Sequence, residues 1–265
     1  MSMLSGIKKT LRTATGRPGP RLLTDKDAWR LTPNMIRVAI ASPALEDFAT
    51  GREGGNCKLL LPEPGETRDG FDARLRDGPT PVRRTYTVRV YRPETRELDI
   101  DFVAHGDNGP ASRWASHAKA GDFLGFMEPS APKGTDFLAN WYLVAADPSD
   151  IPVAAVTLDA TPRDAKGIAL FEVTAIEDKQ SIDAPVDVDV HWLIKPHPTT
   201  SSPQQEDFLR AFDWLEGRVQ TCIAGESRVI RSLRAMLHQE RRIPCEDTYI
   251  SGYWKIGLVE VSTKR

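Results

Sequence analysis

The run Asn140-Trp-Tyr-Leu-Val-Ala145 constrains the fold of this chain more than any other stretch. It is almost wholly apolar, which is the signature of a parallel strand buried on both faces. It runs into the polar turn Ala146-Asp147-Pro148-Ser149-Asp150 and then a helical stretch from Ile151 to about Ala160. Strands follow at Ile168–Ile176 and Asp187–Leu193, and a Pro/Ser/Thr loop at 196–203. A helix then runs from Gln205 to about Glu216, and a strand from Arg218 to Ala224 meets Gly225-Glu226-Ser227. A helix from Arg228 to about Glu240 and a last strand at Asp247–Ile250 complete the pattern. Alternating strands and helices predict a doubly wound α/β domain.

The residues before about 135 follow another pattern. Strands are predicted at Met35–Ser42, Cys57–Leu61, Arg84–Tyr91, Leu98–Ala104 and Phe123–Met127, with a helical turn within Leu45–Thr50 and one short helix at Ala111–Ala118. Residues 62–82, rich in Gly, Pro and charge, read as a long loop holding a short helix. Short strands separated by turns predict a small antiparallel barrel. The expected division is a lead-in at 1–20, a barrel at 21–134 and an α/β domain at 135–265, with the boundary near Pro132–Asp136.

The chain has 265 residues, 40% hydrophobic and 27% charged, enough for a full core, and a net charge of −2. No bulk field draws nucleic acid or a membrane, so an anionic ligand has to be met by a local cluster. Cys57, Cys222 and Cys245 form no CxxC pair, which argues against structural zinc, an iron–sulfur cluster or a disulfide framework. The basic start, with Lys8, Lys9 and Arg12, lacks the apolar segment of a secretory signal, and no stretch has membrane-spanning length. A cytoplasmic protein is expected.

Chemistry concentrates in Arg84-Thr-Tyr-Thr-Val-Arg89 and in the later run Asp101-Phe-Val-Ala-His105-Gly106 through Gly109-Pro-Ala111-Ser112-Arg-Trp114-Ala115. The first is a strand with cations on one face. The second is a strand that breaks at Gly106 and restarts as a helix behind Gly109 and Pro110, with Ser112 where free N–H groups point outward. A helix N-terminus beside an arginine is an anion site, and Tyr86 adds a stacking surface. Together they describe a pocket for a flat aromatic ligand with a phosphate tail. The commoner alternative for each alone is a solvated strand.

These motifs, with the late Gly252-Tyr-Trp254-Lys255-Ile-Gly257, resemble the siderophore-interacting proteins, a branch of the ferredoxin-reductase-like flavoproteins. The resemblance runs from about Arg37 to Gly257. It implies a ferredoxin-NADP reductase-like fold, an FAD-binding barrel followed by an NAD(P)-binding domain, and reduction of ferric iron held in a siderophore. By that resemblance Arg84 pairs with the FAD pyrophosphate, Tyr86 and Thr87 face the isoalloxazine, and Ala111 and Ser112 offer backbone N–H and hydroxyl groups to the phosphates. His105 lines the flavin or adenine portion, or is structural. The turn at Asp147 resembles the segment where the nicotinamide nucleotide docks, although Ala146 and Pro148-Ser149 depart from the usual Gly-Asp-Glu-Thr. Gly225, Glu226 and Ser227 repeat the design at a second strand end, where Glu226 caps its helix or sits beside the nicotinamide. Lys195 meets a 2′-phosphate or is surface charge. Lys58, Lys133 and Lys255 are candidates to hold an anionic ferric siderophore, with solvent as the plainer reading for each. Trp254 lies near the flavin or serves the core.

The expected reaction is a relay from NADPH or NADH through FAD to Fe(III). The cofactor carries the chemistry, so no catalytic side chain and no metal-ligand set is expected. Two rivals stand beside it: a flavin reductase fed by reduced ferredoxin, and a non-catalytic siderophore-binding protein.

Overall fold

A computed structural model describes residues 19–107, 109–129, 132 and 136–258. Strands β1 (Arg21–Thr32), β2 (Met35–Ala41), β3 (Asn56–Leu61), β4 (Val82–Arg92), β5 (Glu97–Val103) and β6 (Phe123–Met127) close a barrel in the order β1-β2-β5-β4-β3-β6. Every neighbouring pair is antiparallel. Inward positions alternate along each strand, so Leu23, Val38, Leu59, Ile100 and Phe126 are fully buried. Each such side chain contributes about 1.5–3 kcal/mol.

β1 has no counterpart among the strands expected from sequence, and its burial explains why. The inward set of its first half is Arg21, Leu23 and Asp25, so two charged residues occupy core-facing positions and hide the alternation. Arg21 is matched by Asp47, Glu128 and the Ala44 carbonyl. Asp25 has no such match: both carboxyl oxygens lack a partner, and burial with the nearby Asp122 pushes its pKa up to about 6. The short helix foreseen within 62–82 is α1 (Arg68–Asp77), capped by the Thr67 hydroxyl, which accepts from the Gly70 N–H at 3.2 Å. The one expected after β5 is α2 (Pro110–His117).

The second half is a five-stranded sheet of β7 (Trp141–Ala146), β8 (Lys166–Val173), β9 (Asp187–Ile194), β10 (Val219–Glu226) and β11 (Thr248–Trp254). Its order is β11-β10-β7-β8-β9 and every pair is parallel. α3 (Ile151–Ala160) packs Ile151, Ala154 and Leu158 on one face with Val144 and Phe171. α4 (Gln204–Ala211) and α5 (Ser227–Ala235) cover the other with Leu209, Ile230 and Leu233 against Leu143 and Ile168. The sheet is therefore doubly wound, and chain order reverses between β7 and β10.

Element ends differ from the sequence reading where tertiary contacts intervene. α4 stops at Ala211 rather than near Glu216 because the chain folds back to seat Trp214 edge-on against Trp141, with ring centroids 5.4 Å apart. The Trp214 indole also donates to the Leu209 carbonyl at 3.0 Å, satisfying an end-of-helix acceptor. β10 and β11 extend through Glu226 and Trp254, so three of the expected site residues are strand residues rather than loop residues.

The two halves meet along α3 and the carboxyl edge of the sheet. Arg89 pairs with Asp159 at 2.7 Å, and the Asp178 carboxylate accepts from Thr32 at 3.0 Å and the Asn34 side chain at 2.8 Å. The Tyr253 hydroxyl is hydrogen-bonded to that of Tyr249, and its side chain lies beside that of Asn56. Gly54, at φ +78°, lets its loop lie against Val156, which a Cβ there would approach to 3.3 Å.

Candidate functional site

On the barrel side, the β4–β5 ladder runs only from Val88–Ile100 to Arg92–Glu97, while Val82–Thr87 of β4 pairs with β3. β4 thus parts from β5 over the Arg84–Thr87 stretch. There the Tyr86 ring packs 4.5 Å from Phe102, which in turn lies 5.8 Å from Trp114 of α2. Thr87 is buried, and Arg84 donates to the Arg83 carbonyl at 2.9 Å.

The turn into α2 is held by its own groups. The Ser112 hydroxyl accepts from the His105 N–H at 3.1 Å and donates to the Gly106 carbonyl at 2.8 Å. It is engaged in shaping the turn, which leaves backbone N–H groups as the donors this helix start presents. The first intrahelical bond is Arg113 N–H to the Gly109 carbonyl, 2.9 Å, so Ala111 and Ser112 have N–H groups without an intrahelical acceptor. Gly109 is the cap, and a Cβ there would lie 2.9 Å from Cε1 of His105. The imidazole therefore rests on the glycine. Arginine, aromatic surface and free N–H groups fit a flat ligand with a diphosphate.

On the sheet side, Asp147, Gly225 and Trp254 converge where β7 and β10 part, the crevice at which such sheets take dinucleotides. The Trp254 indole Nε1 donates to Asp147 Oδ2 at 2.6 Å, and the Ser149 N–H donates to Oδ1 at 2.9 Å. A Cβ on Gly225 would sit 3.2 Å from Asp147 Oδ2, so glycine keeps this space clear. Glu226 caps α5: its Oε2 accepts from the N–H groups of Arg228 at 2.7 Å and Val229 at 3.3 Å, and Oε1 from Ile256 at 3.2 Å. The Ser227 hydroxyl donates to the Trp254 carbonyl at 2.7 Å and fixes the end of β11 to the start of α5. The N-terminus of α5 is thus filled by the protein's own carboxylate.

Buried acids surround this crevice. Burial pushes the Asp147 carboxyl up, against the indole and amide donors that favour its charge. Asp150 is fully buried, neither oxygen accepts from an N–H or O–H donor, and burial with the charge of Asp147 drives it well above the usual carboxylate range. Burial and the neighbouring Asp147 charge both favour the neutral form of Asp150. From sequence Asp150 reads as part of a polar turn before Pro152. In the structure it precedes α3 without a side-chain cap bond and turns inward. Glu172 and Lys195 form a buried ion pair at 3.6 Å beside the same edge. Glu172 and Asn56 gave no sequence signal, because a strand acid and a loop amide are ordinary at those places, and Tyr253 entered only as part of the Gly252–Gly257 motif.

Of the three lysines, Lys58 lies on β3 and its Nζ donates to the Thr85 hydroxyl. Lys255 is exposed just beyond β11. Each is two residues from the Asn56–Tyr253 contact, which brings their strands together. Lys133 lies outside the described residues. Asn56 is also the ladder partner of Thr87, so the barrel stretch and the Trp254 crevice are linked through neighbouring residues.

Residues 26–133 match the siderophore-interacting FAD-binding domain, and residues 139–257 match the siderophore-interacting protein family. The chain is 32% identical over 250 residues to the ferric vibriobactin reductase ViuB of Vibrio cholerae, covering 91% of each. Its structure is similar to that of the siderophore-interacting protein SipS from Aeromonas hydrophila, with TM-score 0.78, 29% identity, and coverage of 91% of this chain and 94% of that one. In fold alone it is similar to the ferredoxin-NADP+ reductase of Plasmodium falciparum, with TM-score 0.62, 13% identity, and coverage of 92% and 99%. Barrel, parallel sheet and family matches over both halves agree: this chain belongs to the siderophore-interacting protein family.

Proposed function

We propose that the chain is an FAD-dependent ferric-siderophore reductase that draws electrons from NADH or NADPH and releases iron as Fe(II). The observation that carries this is the meeting of the β3–β4 stretch with the end of β11 through Asn56 and Tyr253. A flavin-type barrel site and a dinucleotide-type crevice then face one another. In this reading residues 21–134 bind FAD, residues 135–265 bind the nucleotide, and the protein is cytoplasmic. Its similarity to a ferric vibriobactin reductase supports a siderophore as the iron carrier.

When bound, FAD would supply the exchange between a two-electron donor and a one-electron acceptor that iron reduction needs. The chain's residues supply binding and orientation. Arg84 and the N–H groups of Ala111 and Ser112 hold the diphosphate, and Tyr86 and Thr87 place the ring system. Asp147 orients Trp254, which with Gly225 shapes the nicotinamide end of the crevice. Lys58, Lys133 and Lys255 attract the anionic iron complex. One hydride carries two electrons, so two Fe(III) are reduced per nucleotide and one proton is released. Oxygen ligands hold Fe(II) far less tightly than Fe(III), so reduction frees the metal.

Anaerobic Fe(II) capture by a ferrous chelator, with NADH or NADPH and a ferric catecholate siderophore, tests the reading. Fe(II) should form at two per nucleotide, and Arg84→Ala should lose both FAD and activity. A flavin-loaded protein that oxidises nucleotide but leaves the siderophore iron ferric would refute it.

A further inference from the structure

We infer that the Glu172–Lys195 pair makes this chain select NADH over NADPH by committing Lys195, the cation at this edge, to a carboxylate instead of a 2′-phosphate; the inference rests on the nucleotide reading above. In a sheet ordered β11-β10-β7-β8-β9 a dinucleotide lies across the carboxyl edge, one half on each side of the β7/β10 reversal. Gly225 and Trp254 occupy the β10–β11 side, which gives the adenosine half to the ends of β8 and β9. In such folds an acid beyond the second strand bonds the ribose 2′-hydroxyl of NAD, whereas a cation there accommodates the 2′-phosphate of NADP.

Both residue types are present, and their geometry decides between them. Glu172 is the penultimate residue of β8, and Lys195 follows the last residue of β9. Glu172 is 2% exposed and Lys195 9%, with Nζ 3.6 Å from Oε2. The charge of Lys195 is therefore matched within the protein. Ser202 lies beside Glu172, and Oε1 is buried with no hydrogen-bond partner. A 2′-phosphate would have to draw Lys195 away and leave a buried carboxylate unpaired, which is strongly unfavourable. The bare sequence offers Lys195 to a 2′-phosphate. The structure assigns it to Glu172.

The test is the ratio of kcat/KM for NADH to that for NADPH in the flavin-loaded protein, together with calorimetric binding of NAD+ and NADP+, which needs no turnover. Wild type should favour the NAD forms by roughly tenfold or more in both measurements. Glu172→Gln should free Lys195 and lower the ratio by roughly tenfold, mainly by reducing KM for NADPH. Wild-type preference for NADPH, or an unchanged ratio in folded Glu172→Gln, would overturn the inference and leave the reductase reading standing. If Glu172→Gln does not fold, the wild-type preference and the calorimetry decide alone. If neither nucleotide binds or reduces the flavin, while dithionite-reduced protein still reduces the siderophore, the nucleotide reading itself fails and takes the inference with it.

Discussion

The indole of Trp254 hydrogen-bonds the carboxylate of Asp147 at 2.6 Å, joining the end of β11 to the end of β7 directly over Gly225. A buried carboxylate thereby sets the position of an aromatic ring at the mouth of the nucleotide crevice. Asp147→Ala should release the indole and slow flavin reduction by NADH or NADPH by about tenfold, equivalent to about 1.4 kcal/mol. Electron transfer from dithionite-reduced protein to the ferric siderophore should be unchanged. Stopped-flow absorbance of the two half-reactions separates these steps, and equal slowing of both would mean a general loss of structure.

Asp150 gives a stability prediction with a definite sign. Its pKa is raised on folding, so its stabilising contribution is complete below the unfolded carboxylate range and is lost as pH rises through the folded value. Asp150→Asn removes the ionisable group. At about pH 8 it should be more stable than wild type by on the order of 1–3 kcal/mol, and near pH 4 about equal. Thermal melts across that range check it. A variant less stable at every pH would contradict the buried, protonated assignment.

Asp25 obeys the same rule in a narrower window. With its folded pKa pushed up to about 6, wild-type stability should fall between the unfolded carboxylate value and that figure. Asp25→Asn should flatten this slope and raise the melting temperature above it, by an amount equivalent to about 1–2 kcal/mol. Urea midpoints at pH values on either side of the window measure the effect.

Much of this architecture is readable in the residues. The apolar Asn140–Ala145 run announces a parallel strand because its side-chain types carry its burial on both faces, and Arg84–Arg89 announces a barrel strand through its Thr, Tyr and Val content. β1 escapes because Arg21 and Asp25 point inward and are rescued by tertiary partners, or not rescued at all. The site is legible in its parts but not in its joins. Asp147, Gly225 and Trp254 are each visible in sequence, yet their convergence depends on strand order. Whether Glu226 caps a helix and whether Lys195 is free are questions only geometry answers.

The contact between His105 and Gly109 makes a paired prediction. Gly109→Ala would place a Cβ 2.9 Å from the imidazole, shift the turn into α2 and weaken FAD affinity by about tenfold. Adding His105→Ala should restore most of that affinity, because the obstruction is gone. If the double variant is as weak as His105→Ala alone and both are far below wild type, His105 contacts the cofactor directly. Fluorescence titration with FAD distinguishes the two.

The most direct test of the relay is the visible spectrum of the FAD-loaded protein followed anaerobically as nucleotide and then a ferric siderophore are added. The flavin absorbance should bleach on addition of NADH, more readily than with NADPH, and return as the iron complex is consumed. A flavin that bleaches but is not reoxidised by the ferric siderophore would contradict the account.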